Sequence, residues 1–329
     1  MDSKKIFYID NFRTVAITFI VLTHVVSFFD WSNNYLAKSI LEILFSNSTS
    51  LFIFISGFLF RYLSASFEYR RYLFTKFKYV ITPYLIISIP AIAYFVLFAT
   101  REGVAYGFYE MPKIFQVVFF YLNGMHLAPY WYIPAISLFF LMSPVFIFLI
   151  NRSLLLIVLP FLMLLSLNIA REGVLMSAIH FLSVYVAGMV VYQYIDKLKK
   201  IFTVRVMCLS ASLMVFILFL QYKINIDSFR FMYLSKLLLD VWLILFLQKY
   251  FSKNIFSFDL SQTSFGIFFI HSYVITVLKI AAAAMFSSAF GGGIVEVILL
   301  LVIVLVFCHL SILATKVILG RYSRYFIGS

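Results

Sequence analysis

Apolar residues run along this chain in blocks of roughly twenty, separated by short polar or basic clusters. A helix crossing the hydrocarbon layer of a bilayer needs about 20 mostly apolar residues. By that rule ten spans are predicted, near 10–30, 40–60, 80–99, 130–150, 154–170, 175–195, 203–221, 231–250, 264–285 and 293–315. The fifth block is short. The stretch 113–125 reads as a half-inserted or interfacial helix leading into the fourth span. The fold class expected is therefore all-α and polytopic, with about ten transmembrane helices. No polar stretch is long enough for a separate soluble domain, so residues 1–329 are expected to form a single integral-membrane domain.

Composition strengthens this reading. Hydrophobic residues make up 64% of the 329 and charged residues only 12%, against roughly 45–50% and 25% in soluble domains. The net charge of +13 does not indicate nucleic acid, because the basic residues cluster between apolar blocks. With the N-terminus inside, 17 of the 26 Lys and Arg fall on cytoplasmic segments, which predicts cytoplasmic N- and C-termini. Cys208 and Cys308 lie in apolar runs and suggest neither a disulfide framework nor a metal cluster. The first block ends in Phe28, Phe29, Asp30 and Trp31 and lacks a small-residue cleavage site, so it is expected to be retained as a helix.

Within that first block stand Arg13 and His24. Eleven residues make about three turns and about 16 Å of rise, which puts both on nearly one helix face. Arg13 could snorkel to headgroups or pair with Asp10, three residues back. His24 lies too deep to snorkel and has no ionic partner within a turn. Imidazole is the side chain suited to proton transfer near neutral pH, and His24 is the stronger functional candidate.

The run "RTVAITFIVLTH" (13–24), with the lead-in "YIDNFR" (8–13), resembles the first helix of the membrane-bound acyltransferase 3 family, bacterial integral-membrane O-acyltransferases of cell-surface glycans. "LFIFISGFLF" (51–60), "YRRYLFTKFKYVITPY" (69–84), "APYWYIPAISLFFLMSPVF" (128–146) and "SQTSFGIFFIHS" (261–272) are similar to later family segments, in the family's order. One departure lies in the basic stretch: several members carry arginines closer to the proline than Lys76 and Lys78 stand to Pro83. Some members carry an extra extracytoplasmic hydrolase-like domain, and none is expected within residues 1–329.

The resemblance implies a multi-pass protein of the bacterial inner membrane. It also implies transfer of an acyl group, most commonly acetyl, from acyl-CoA to a hydroxyl of a glycan or lipid-linked sugar. Acyl-CoA is then a co-substrate, with no bound cofactor, and other glycan-assembly proteins are further partners. His24 would act as general base, or as a covalent acyl carrier, and Arg13 would orient the donor or stabilise developing charge. Arg70, Arg71, Lys76 and Lys78 are candidates for CoA phosphates, with ordinary positive-inside charge as the alternative. Trp131, His126, His271 and Ser56 are candidates for the acceptor side, each with a structural alternative in packing or interfacial anchoring. Asp240 and Lys236, four residues apart, are expected to pair. A transporter or flippase of a lipid-linked sugar is the competing function, and a scaffold subunit is a third.

Overall fold

The computed structural model describes residues 6–224, 228–253, 260–285 and 290–329. These residues are helical nearly throughout, and their extended pairing is one isolated bridge, Asp30 with Gly291. In order, the helices are α1 (Phe7–Val26), α2 (Tyr35–Phe45), α3 (Thr49–Leu63), α4 (Tyr69–Lys76), α5 (Thr82–Leu97), α6 (Lys113–Asn123), α7 (Tyr132–Leu141) and α8 (Ser143–Asn151). There follow α9 (Leu155–Asn168), α10 (Gly173–Gln193), α11 (Ile195–Ile201), α12 (Val204–Ile224), α13 (Ser228–Tyr250), α14 (Ser264–Met285), α15 (Ile294–Leu319) and α16 (Ser323–Phe326). In a bilayer every backbone group must be satisfied within the chain, and helices do this segment by segment.

Eight helical stretches among the described residues are long and apolar enough to span. A ninth forms if α7 and α8, bent by 52° at Met142, are counted together. The one remaining expected span, the fifth (154–170), falls on α9, whose 14 residues rise only about 21 Å. The stretch 113–125 is the 11-residue α6, whose Phe120 packs with Ile92 and Val96 of α5 and with Phe108.

α1 lies at the centre, against α2, α3, α13, α14 and α15. The tightest crossing joins α3 to α10. A Cβ at Gly57 would overlap the Tyr185 carbonyl, and one at Gly188 would overlap that of Phe54. Small residues let membrane helices approach backbone to backbone, where dispersion can act without a hydrophobic drive.

Polar groups mark the breaks. Between α2 and α3 the helix opens at residues 46–48, with Asn47 in a left-handed conformation (φ 58°). Thr23 Oγ1 donates to the freed Phe45 carbonyl at 2.7 Å and Lys236 Nζ to that of Leu44 at 2.5 Å. Asp240 accepts instead from Ser50 Oγ at 3.3 Å. The expected Lys236–Asp240 ion pair is therefore absent among the described residues. The broken helix takes the ammonium, because an unsatisfied carbonyl at that depth is costly.

α1 begins, and the C-terminal segment packs, at one end of the bundle, called here the lower end: Arg13 shares a cavity there with Arg324 and Gly328. At the upper end, Asp30 N–H donates to the Phe290 carbonyl at 2.8 Å and ties the loop after α1 to the one before α15. Nearby, Trp31 Nε1 donates to the Val26 carbonyl at 2.8 Å.

Candidate functional site

Two cavities bracket α1. The lower one is a pair of adjoining chambers, about 340 and 300 Å³, that share Ser56, Leu59, Thr75, Lys76 and Phe140. Arg71 and Glu68 line its first chamber, and Arg13, Tyr132 and Arg324 its second. Four cations thus face one acid. Lys76 reaches in because its ammonium rests on aromatic faces, 5.3 Å from the Tyr72 ring and 5.0 Å from that of Phe140. Ser56 Oγ donates back to the Phe52 carbonyl at 2.7 Å and lies 3.5 Å from Tyr132 Oη.

The upper cavity, about 520 Å³, is lined by His24, His126, Arg101, Lys279 and parts of α5 and α14. The His24 ring makes no hydrogen bond among the described residues, and its centroid lies 5.3 Å from that of His271. His271 is fully buried, and its Nδ1 lies 2.8 Å from the Ile267 carbonyl one turn back. A carbonyl can only accept, so Nδ1 carries the proton and Nε2 is left as the basic nitrogen.

His126 is anchored likewise. Its Nδ1 donates to the Phe120 carbonyl at 3.2 Å, and Ser88 Oγ stands 2.8 Å from Nε2. Burial pushes this imidazole down to about 4, so it is neutral near pH 7. A third groove, about 780 Å³ and bordered by Glu42 and Lys223, lies against Thr23 and Val26 on the neighbouring face of α1.

The Arg13–His24 stripe faces α14 along its length. Ser264 and Phe265 border the cavity of Arg13, and Ser272 and Tyr273 border that of His24. The two cavities have no lining residue in common. Between them stands Phe268, fully buried. Its ring centroid is 5.3 Å from that of Tyr132 and 6.1 Å from that of Phe52 on the lower side, and 6.3 Å from that of His271 on the upper.

Of the candidates from sequence, Arg13, Ser56, Arg71 and Lys76 meet in the lower cavity, and His24 and His126 in the upper, with His271 behind His24. Arg70 is exposed outside both. Lys78 turns to the C-terminal segment, 4.9 Å from the Tyr325 ring. Trp131 also stands apart: it stacks on Phe181 at 5.7 Å, with the Arg171 guanidinium 4.5 Å from its ring. That guanidinium donates to Asn47 Oδ1, and burial lowers Arg171 to about 10. The cluster is a clasp joining the loop before α10 to the α2–α3 break.

Arg324, Tyr132, Arg101 and Lys279 complete the cavities and were not singled out from the sequence. Lys279, a lone cation in the apolar run of α14, carried a usable signal. Arg324 carried none beyond its contribution to positive-inside charge.

A cationic chamber suits an anionic ligand, and an imidazole on a second chamber can move a proton. A family model described as an acyltransferase domain matches residues 6–313, nearly the whole chain. The chain belongs to the acyltransferase 3 family. No curated protein and no solved structure matches it significantly. As a multi-pass acyltransferase it must hold an activated acyl donor, accept a proton from the attacking group and stabilise the oxyanion formed at the carbonyl. The cavities flanking α1 provide side chains suited to each task.

Proposed function

We propose that this acyltransferase takes an acyl group, acetyl by default, from acyl-CoA and transfers it to a hydroxyl of a cell-surface or lipid-linked glycan at the bacterial inner membrane. The observation that carries this reading is the placement of His24. Its ring has no hydrogen bond among the described residues, borders the upper cavity, and is backed by His271 at 5.3 Å.

In this reading the lower cavity opens to the cytoplasm, where acyl-CoA is made. Arg71, Lys76 and Arg324 meet the phosphates of CoA, and the pantetheine arm passes Ser56 and Arg13 toward α14. The sugar enters the upper cavity. His24 takes the hydroxyl proton as the oxygen attacks the thioester carbonyl. The C–O bond forms, and the electron pair of the C=O moves onto oxygen. When the carbonyl re-forms, the C–S bond breaks and the thiolate takes the proton from the imidazolium, leaving CoA and the ester. Arg13 stabilises negative charge on the donor side, and His271 braces the His24 ring.

Phe268 separates donor from acceptor, so its ring must swing aside for direct transfer. An acyl-histidine relay would instead carry the acyl group across in two steps. Rapid quenching with labelled acyl-CoA separates these routes, since only the relay leaves label on the protein.

The test is His24→Ala in membranes given labelled acetyl-CoA and glycan acceptor. Loss of transfer by about 10²–10⁴-fold is expected, the usual contribution of a general base, with acyl-CoA binding retained. Transfer near the wild-type rate would overturn the assignment.

A further inference from the structure

The charged residues lining the upper cavity are Arg101 and Lys279, with no carboxylate among its lining residues. Positive charge at this end runs against the orientation argument, which places basic residues at the cytoplasmic end. Neither side chain is paired with a carboxylate among the described residues. Arg101 donates through Nε to the Met125 carbonyl at 3.0 Å, and its guanidinium lies 5.5 Å from the Phe95 ring. Among the described residues its two terminal amino groups donate no hydrogen bond, and Lys279 Nζ makes neither a hydrogen bond nor an ion pair. Arg101 is therefore fixed at one nitrogen with its fork still free, the geometry that receives a carboxylate or phosphate in a bidentate way. Lys279 adds a second point charge to the same cavity wall. His126, neutral and tied to Ser88, adds no charge that would compete for the anion.

We propose that the acceptor held in the upper cavity is anionic: Arg101 and Lys279 bind a carboxylate or phosphate near the hydroxyl to be acylated, and so register that hydroxyl against His24. The inference rests on the acyl-transfer reading above for the role of His24, but the anion site itself can be tested without turnover. A uronic-acid sugar would bring a carboxylate, and a polyprenyl-phosphate-linked sugar a phosphate.

The experiment uses the full chain, purified in detergent, with three probes: a uronic-acid oligosaccharide, its carboxyl-reduced neutral counterpart, and a polyprenyl phosphate. Binding is measured directly, and acyl transfer to the two oligosaccharides is measured alongside. Tighter binding of one anionic probe over the neutral one, by tenfold or more and weakening with salt, is expected. Arg101→Gln and Lys279→Gln should each reduce that ratio toward one, acting on KM more than on kcat, while Arg101→Lys keeps part of it. Preference for the uronic acid assigns the carboxylate as the source, and preference for the polyprenyl phosphate assigns the carrier. Equal binding of charged and neutral probes, or a preference untouched by both Gln variants, overturns the proposal even if acyl transfer proceeds. Selective anion binding without acyl transfer to any acceptor sinks the acyl-transfer reading and leaves the anion site standing.

Discussion

The lower and upper cavities are both cationic, yet they hold their charge differently. In the lower one Lys76 lies on the rings of Tyr72 and Phe140 and shares its space with Arg71 of the same helix, Arg13 of α1 and Arg324 of α16, so the cations come from three parts of the chain. In the upper one two cations stand beside the His24 imidazole, which makes no hydrogen bond among the described residues. Distributed charge suits a ligand with several phosphates, such as CoA. Paired charge beside a base suits a ligand that must present one hydroxyl in one place. The difference teaches that net charge alone does not distinguish the two cavities; the neighbours of each cation do.

The sharpest way to break this comparison is at Lys76. Lys76→Gln should raise KM for acyl-CoA by roughly tenfold, the cost of one charge-assisted contact, and flatten its salt dependence. Arg70→Gln, exposed outside the cavity, should stay within about twofold, as surface charges do. Steady-state kinetics with varied acyl-CoA and salt decide it; equal effects at the two positions would erase the distinction between cavity lining and ordinary basic surface.

The wall between the cavities gives the next largest effect. Phe268→Leu keeps an apolar side chain but shortens it, so water should reach the thioester more easily. The ratio of acyl-CoA hydrolysis to transfer is expected to rise several-fold, read as free CoA released against label on glycan. An unchanged ratio would mean that Phe268 is packing and no barrier.

The smallest effect concerns pH. His126 titrates at about 4 in the fold against an ordinary 6.5, because burial disfavours its charged form. The unfolded chain therefore binds the proton first as pH falls, so this contribution to stability is full above pH 6.5 and is lost between 6.5 and 4. The melting midpoint in detergent should drop across that window, and His126→Gln should flatten the slope. A parallel drop in the variant would assign the pH dependence to other groups.

Much of the fold was legible from sequence because spanning helices announce themselves by length and hydropathy. The Arg13–His24 stripe was legible for the same reason, since α-helical geometry alone puts both residues against one neighbour. The neighbour itself was not. That α14 lies along the stripe, with His271 behind His24, depends on packing between segments some 250 residues apart. Trp131 shows the opposite case: it stood as a candidate for the acceptor side with packing as the alternative, and Phe181 and Arg171 hold it in a clasp. Local spacing carries the face of a helix, and only tertiary packing decides what that face meets. Lys236 and Asp240 show the limit on one helix, since the correct i, i+4 spacing yielded to an open carbonyl at the α2–α3 break.

Between α4 and α5 the chain passes through a π-helical turn at Phe77–Ile81. Such a turn holds one residue more than an α-helical path would, so it works as a phase shifter in a continuous rod. The basic half, with Lys76, and the membrane half, with Ser88 against His126, are set at angles that one regular helix could not give both. Deleting a single residue there would turn one half against the other by about 100°, taking Lys76 away from its cavity. The lower chamber thus depends on a count of residues as much as on their identity.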